Sequence, residues 1–314
     1  LTEARPPASA PVSADAAPGT APRTLHPPAG DPSARDHYLS IGLFFLSLCL
    51  FTAENVATRM IGLGLPTEQI TFVRALGGMA LTLPICLWVG PSVLRVTRFR
   101  LHLLRGLLSF AGLWLYFYCF AVLPLAIATT ITFSKAFFLA ILAAFFLKEV
   151  VGRRRWAAIA IGSAGVLIVM RPGADGFEWA ALAALASAAL SGAVLVCTKI
   201  ISRNDSPLSI MFYLSLITVG FSLVPGLLSW RTPGASDLFW LSCIAILGPS
   251  AQYAGILAFR AGSVATLAPI DYARIILTLA AGFLFFGEFP DVISLVGTCV
   301  IVGAALLTTL RRSD

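Results

Sequence analysis

Lys135 stands fourteen residues before Glu149, and Arg274 stands fourteen before Glu288, each pair spanning an apolar, helix-length run with a similar ending, FFLKE in one and LFFGE in the other. The same offset of 139 aligns Ala126 with Ala265, Phe133 with Tyr272 and Phe146 with Phe285. Further upstream, Val56, Thr58 and Arg59 match Val196, Thr198 and Lys199 at an offset of 140, and Pro84 matches Pro225 at 141. The chain reads as two copies of one unit. Charges inside apolar runs, repeated at matching depth, narrow the architecture further, because internal repeats with ionisable groups near the bilayer midplane are how secondary transporters are built.

Composition fits that reading. Hydrophobic residues make up 58% of the chain and charged residues 12%, whereas soluble domains carry about 25% charged residues. An all-α integral membrane protein is expected, with the lipid bilayer as its surroundings. The net charge of +7 does not point to nucleic acid, because most basic residues fall in short links between apolar runs. Six cysteines, one per apolar segment, have no metal-ligand or CxxC spacing and read as small packing residues.

Residues 1–36 are rich in Ala and Pro and are expected to be a disordered cytoplasmic tail. They lack an apolar stretch of the kind a cleavable signal peptide needs. The first five-helix repeat is placed at 37–173 and the second at 174–314. Ten apolar segments follow the tail, at about 38–60, 67–89, 101–120, 125–147, 154–171, 177–200, 207–229, 237–258, 263–286 and 291–310. Each is close to the length that crosses about 30 Å of hydrocarbon as a helix. Only helices satisfy every backbone group across such runs with links this short.

Lys and Arg sort by loop parity. Arg95, Arg98, Arg100, Lys148, Arg153, Arg154, Arg155, Lys199, Arg203, Arg260, Arg311 and Arg312 share one side with the tail, against Arg59, Arg171 and Arg231 on the other. The positive-inside rule then puts both termini in the cytoplasm. Five helices per repeat is an odd number, so the second copy crosses the membrane upside down relative to the first.

Five charges fall well inside the predicted spans: Glu54, Arg74, Lys135, Asp271 and Arg274. A charge at a helix centre costs about 2.5–3.5 kcal/mol on insertion scales, so each must face the protein interior or a wet cavity. Lys135 and Arg274 lie near the midplane on repeat-related helices and are candidate substrate-binding residues. Asp271 is three residues before Arg274 and shares its helix face, so the two can pair locally or line a cavity. Glu54 and Arg74 form either a coupling pair or a structural one. Three positive charges against two negative bias the site toward substrates that carry a carboxylate.

Trp114, with Tyr118 one turn on, and their repeat counterpart Tyr253 sit at mid-depth and either stack on a planar substrate group or fill space; Tyr272 carries the same two readings. Gly248 and Pro249, followed by Gln252, mark the strongest candidate gate or hinge, and Gln252 joins the substrate-binding candidates. Gly162, Gly165, Gly297 and Gly303 let helices approach closely, either internally or in a homodimer.

The stretch LPTEQITFVRALGG, the run from LPLAIATTITFSKAFF through FLKEVVGRRRWAAIAIGSAGVLIVMRPG, and PIDYARIILTLAAGFLFFGEFPDVISLVGTCVIVGAALL resemble the EamA-type branch of the drug/metabolite transporter superfamily. The resemblance covers nearly everything after the tail. It implies ten helices, a central cavity formed by helices 1–4 and 6–9, and helices 5 and 10 at the periphery. It also implies a small-molecule substrate, with amino acids, S-adenosylmethionine and riboflavin among those carried.

Enzyme signatures are missing from the sequence. His26, His37 and His102 lie in the tail or at membrane edges, and no GxSxG, Walker A or paired metal-ligand spacing occurs. No cofactor or metal is expected. The reading is a secondary transporter of the inner membrane that moves an amino-acid-like, other carboxylate-bearing or zwitterionic compound by alternating access. A membrane subunit without cargo of its own, or a membrane enzyme with an unrecognised site, remains the alternative.

Overall fold

A computed structural model describes residues 34–147, 152–170, 179–202, 204–261, 267, 270–271 and 273–309. Within these residues the chain forms helices α1 (Ala34–Ile61), α2 (Thr67–Val89), α3 (Phe99–Val122), α4 (Leu125–Thr132), α5 (Lys135–Leu147) and α6 (Arg153–Met170). It continues with α7 (Trp179–Ile201), α8 (Pro207–Leu228), α9 (Ala235–Ala261), α10 (Ala273–Phe286) and α11 (Val292–Thr309). A single 3₁₀ turn, Pro91–Leu94, precedes α3. The first helix opens at Ala34, inside the stretch read from sequence as tail; residues 1–33 lie outside the described residues.

Among the described residues, seven spans are long and apolar enough to cross a membrane, and shorter apolar helices run Trp156–Met170, Ala273–Phe286 and Val292–Ala304. The protein is a multi-pass membrane protein. One span, Leu125–Phe146, contains two helices, because α4 stops at Thr132 and α5 starts at Lys135. Hydroxyls make the break. Thr132 Oγ1 donates to the carbonyl of Thr129 at 2.9 Å and Ser134 Oγ to that of Ile131 at 2.6 Å, while the Ser134 N–H turns to Ile131 at 3.0 Å. These i−3 bonds tighten the backbone into a 3₁₀-like step at mid-span. Lys135 therefore opens a new helix.

Packing partners repeat. The first helix lies along α9 as α3 lies along α7; α2 meets α9 as α3 meets α8; α5 meets α7 as α1 meets α10. The pairs α2 with α8 and α6 with α11 join the two copies as well, whereas α1 and α2 pack on α3 in the first copy with no comparable pairing in the second among the described residues. Exchanging the two copies, α1 for α7, α2 for α8, α3 for α9, the α4–α5 span for α10 and α6 for α11, maps these contacts between the copies onto one another.

Small residues set the spacing of these crossings, as expected where lipid supplies no hydrophobic drive between helices. An alanine methyl at Gly77 would overlap the Ala245 carbonyl of α9, and one at Gly106 would overlap Ile217 of α8. In α6 and α11, a methyl at Gly165 would come within 2.8 Å of Ile301 and 3.1 Å of the Gly297 carbonyl. Gly162 is filled against the Phe137 ring. These three glycines of the small-residue set face internal partners, whereas Gly303 meets nothing within 4 Å. The largest apolar cluster joins Phe120, Leu125, Ile131, Phe137 and Ile301, tying α3–α5 to α11.

Candidate functional site

Glu54 of α1 and Arg74 of α2 meet at 2.6 Å, Nε to Oε1, with Glu54 only 1% exposed. Gly248 makes this burial feasible. A Cβ there would overlap Glu54 Oε1 and lie 2.8 Å from Arg74 Nε, so α9 passes over the pair with bare backbone. The helix runs unbroken through Gly248 and Pro249.

Beside this pair, three helices converge on one hydrogen-bond chain. Arg274 Nη2 of α10 donates to the Tyr116 hydroxyl of α3 at 2.9 Å, and that hydroxyl donates to Asn55 Oδ1 of α1 at 2.7 Å. The guanidinium also sits 5.2 Å from the centre of the Phe51 ring, in cation–π range. Asn55 and Arg274 are both buried. Lys135 Nζ lies 5.8 Å from the Phe133 ring and within electrostatic range of both Asp271 and Arg274. Phe51, Asn55 and Tyr116 were not singled out from sequence. Asn55 was hidden beside Glu54, and Tyr116 inside an aromatic run that covers every face of its helix.

The remaining sequence candidates are placed as follows. Trp114 is 40% exposed and, at heptad spacing, shares a face of α3 with exposed Leu107, so the structure does not bring it to the cluster. Two residues further on, about 200° around the helix, Tyr116 takes the place expected of Trp114. Tyr118, Gln252 and Tyr253 are half-buried. Tyr272 and Glu149 lie outside the described residues. The expected Asp271–Arg274 pair is not among the ion pairs within 4 Å of the described residues, which are Glu54–Arg74, Arg59–Glu288 and His102–Asp205. Arg274 turns to Tyr116 on the neighbouring helix instead.

Each end of the bundle is stapled. At one end, Arg59 Nη2 meets Glu288 Oε1 at 3.0 Å, Arg59 Nη1 donates to the Ala121 carbonyl at 2.6 Å, and Glu288 Oε2 accepts from the Leu125 N–H at 3.0 Å. Gly287 positions the carboxylate. Its φ of +65° closes α10 as a left-handed cap, with Gly287 N–H bonding the Phe283 carbonyl and Glu288 N–H reaching back to that of Gly282. Here too, Gln69 holds the backbone of Arg231 from both sides, at 2.9 and 3.0 Å.

At the other end, His102 Nε2–H donates to buried Asp205 at 2.8 Å, and Thr97 donates to the same carboxylate from its N–H at 3.1 Å and its hydroxyl at 3.0 Å. Burial alone would push the Asp205 carboxyl up, but the bonds from His102 and Thr97 outweigh it and hold it below the ordinary range. Ser209 donates to the Val93 carbonyl and Tyr213 to that of Leu94 at 2.8 Å. Ser209 is the repeat counterpart of Gln69, so each copy fastens its second helix to the other copy's second loop.

The helices thus surround a buried polar centre and are braced by polar contacts at both ends. The model of the EamA-like transporter family matches this chain twice, over residues 39–171 and 178–310. The chain belongs to this family. It is 32% identical over 279 residues to the S-adenosylmethionine uptake transporter of Rickettsia bellii, covering 87% of this chain and 94% of that one. It is 30% identical over 278 residues to the riboflavin transporter of Vibrio cholerae, covering 86% and 93%. A solved crystal structure at 23% identity superposes with a TM-score of 0.62 over 86% of this chain and 96% of the other, which shows a shared fold. As a family member the chain is a small-metabolite transporter of a membrane and not an enzyme.

Proposed function

We propose that the protein is a secondary transporter of the inner membrane that moves a carboxylate-bearing or zwitterionic metabolite by alternating access, S-adenosylmethionine being the first compound to test. One observation carries this reading. Arg274 of the second copy is buried against Tyr116 and Asn55 of the first, with Lys135 and Asp271 beside it. Charge at this depth is costly in a membrane protein and marks a substrate or ion path. Relatives named for S-adenosylmethionine uptake, at about 30% identity, support the substrate class.

The two copies form inverted five-helix halves, and their exchangeable packing list supports this. With both termini in the cytoplasm, the Arg59–Glu288 staple closes the outer end and the His102–Asp205 staple braces the inner one. The halves rock about the central cluster, driven by a substrate or proton gradient, with Glu54 or Asp271 as candidate proton carriers.

Flux into proteoliposomes, measured for S-adenosylmethionine, amino acids and riboflavin, tests the assignment. Lys135→Ala and Arg274→Ala are each expected to abolish uptake while expression and folding persist. Wild-type rates in both variants would refute a central site.

A further inference from the structure

The Arg274–Tyr116–Asn55 chain runs in one direction. A guanidinium only donates, so the Tyr116 oxygen accepts from Arg274 at 2.9 Å and its one proton goes to Asn55 at 2.7 Å. The Asn55 atom that receives that proton must then be its carbonyl oxygen. This orientation of the amide gives the Tyr116 proton an acceptor. The amino group of Asn55 is the free end.

Two donors are left over. Asn55 Nδ2 and Arg274 Nε are buried and have no hydrogen-bond partner. Leaving a buried donor unmet is unfavourable, and here two unmet donors belong to one three-residue chain. Two nearby acceptor atoms are already engaged: Asn55 Oδ1 by Tyr116 at 2.7 Å, and Glu54 Oε1 by Arg74 at 2.6 Å. The Phe51 ring, 5.2 Å from the guanidinium, lies against it and limits its freedom to turn elsewhere. Asp271, the nearby carboxylate one turn before Arg274, makes no ion pair with it within 4 Å among the described residues, so both donors remain open to an acceptor that carries negative charge.

We infer that Asn55 Nδ2 and Arg274 Nε form the subsite for the carboxylate of the transported compound, with Tyr116 as the residue that positions both. This rests on the transport reading and deepens it. A carboxylate offers an oxygen to each N–H donor and complements the charge of Arg274, and an arginine gives it a directional, charge-assisted bond. Asn55 comes from the first copy and Arg274 from the second, so a bound carboxylate links the two copies directly. The subsite selects for the anionic end of a zwitterion. The neighbouring Glu54 carboxylate is already paired with Arg74.

The experiment compares S-adenosyl-L-methionine with its decarboxylated analogue, and L-methionine with methionine amide, by ligand-induced thermal stabilisation and equilibrium binding to the purified full-length protein, with riboflavin as a ligand that has no carboxylate. The wild type is expected to favour the carboxylate member of a pair by about tenfold or more. Asn55→Asp keeps the oxygen that Tyr116 needs and turns the free donor into an acceptor, so the preference should collapse to about twofold or less. Equal binding of both members by the wild type, binding of riboflavin alone, or an unchanged preference in Asn55→Asp overturns the subsite and leaves the transport reading standing. The wild-type comparison needs no variant to fold. Absence of both binding and flux across the whole panel overturns the transport reading, and the subsite with it.

Discussion

Gly248 shows how much one missing methyl can hold. The Glu54–Arg74 pair is buried because α9 crosses it with no side chain, and an added Cβ would occupy the space of Glu54 Oε1. Overpacking a tight interior costs about 1–3 kcal/mol. Here the displaced atoms also belong to a buried ion pair, and breaking such a pair costs about 3–5 kcal/mol. Gly248→Ala is therefore expected to lower the thermal midpoint in detergent by far more than Gly220→Ala, since Gly220 meets nothing within 4 Å. Equal midpoints for the two variants would mean that the pair does not depend on this gap. The sequence marks this glycine as a hinge beside a proline, and its role against Glu54 appears only when α1, α2 and α9 are brought together. Glu54 and Arg74 themselves were legible, because two opposite charges at similar depth on adjacent helices have few other partners.

At the scale of elements, turns and helix ends carry what hydropathy does not see. Apolar spans were readable because burial in lipid demands them, whereas the break between α4 and α5 comes from hydroxyl bonds to nearby carbonyls, and Thr and Ser do not lower hydropathy enough to reveal it. The Asp205 staple was missed for a similar reason. His102 and Asp205 are 103 residues apart, and nothing local marks them as partners. Their bond ties the start of α3, and through Thr97 the link before it, to the link between α7 and α8. The Asp205 carboxyl is held below its ordinary value when folded, so the stability it contributes is complete above about pH 4, the ordinary aspartate value, and is lost as pH falls through the lower folded value. Asp205→Asn is expected to lower the midpoint at neutral pH. The gap between wild type and variant should narrow on acidification below about pH 4. A gap that stays constant with pH would show that the carboxylate's charge contributes nothing to the staple.

Across the whole molecule, the two copies solve the same packing problem with different residues. Gly77 of α2 lets the Ala245 backbone of α9 approach; the corresponding crossing pairs Ile217 of α8 with Gly106 of α3. Gly77 aligns with Ile217 and Gly106 with Ala245, so the gap has moved to the opposite helix while the crossing has been kept. Charge spacing and apolar periodicity reveal the duplication in sequence, but this exchange is invisible to residue matching because complementary volume, and not identity, is what repeats. If both crossings bear equivalent loads between the halves, Gly77→Ala and Gly106→Ala should destabilise to a similar extent, each by about 1–3 kcal/mol. Without a shared partner, their combined effect should be close to the sum. Thermal midpoints of the two single variants and the double variant measure this directly. One crossing that tolerates its methyl while the other does not would mean that the copies have diverged in load as well as in sequence, and a rocking motion shared evenly between them would lose its structural basis.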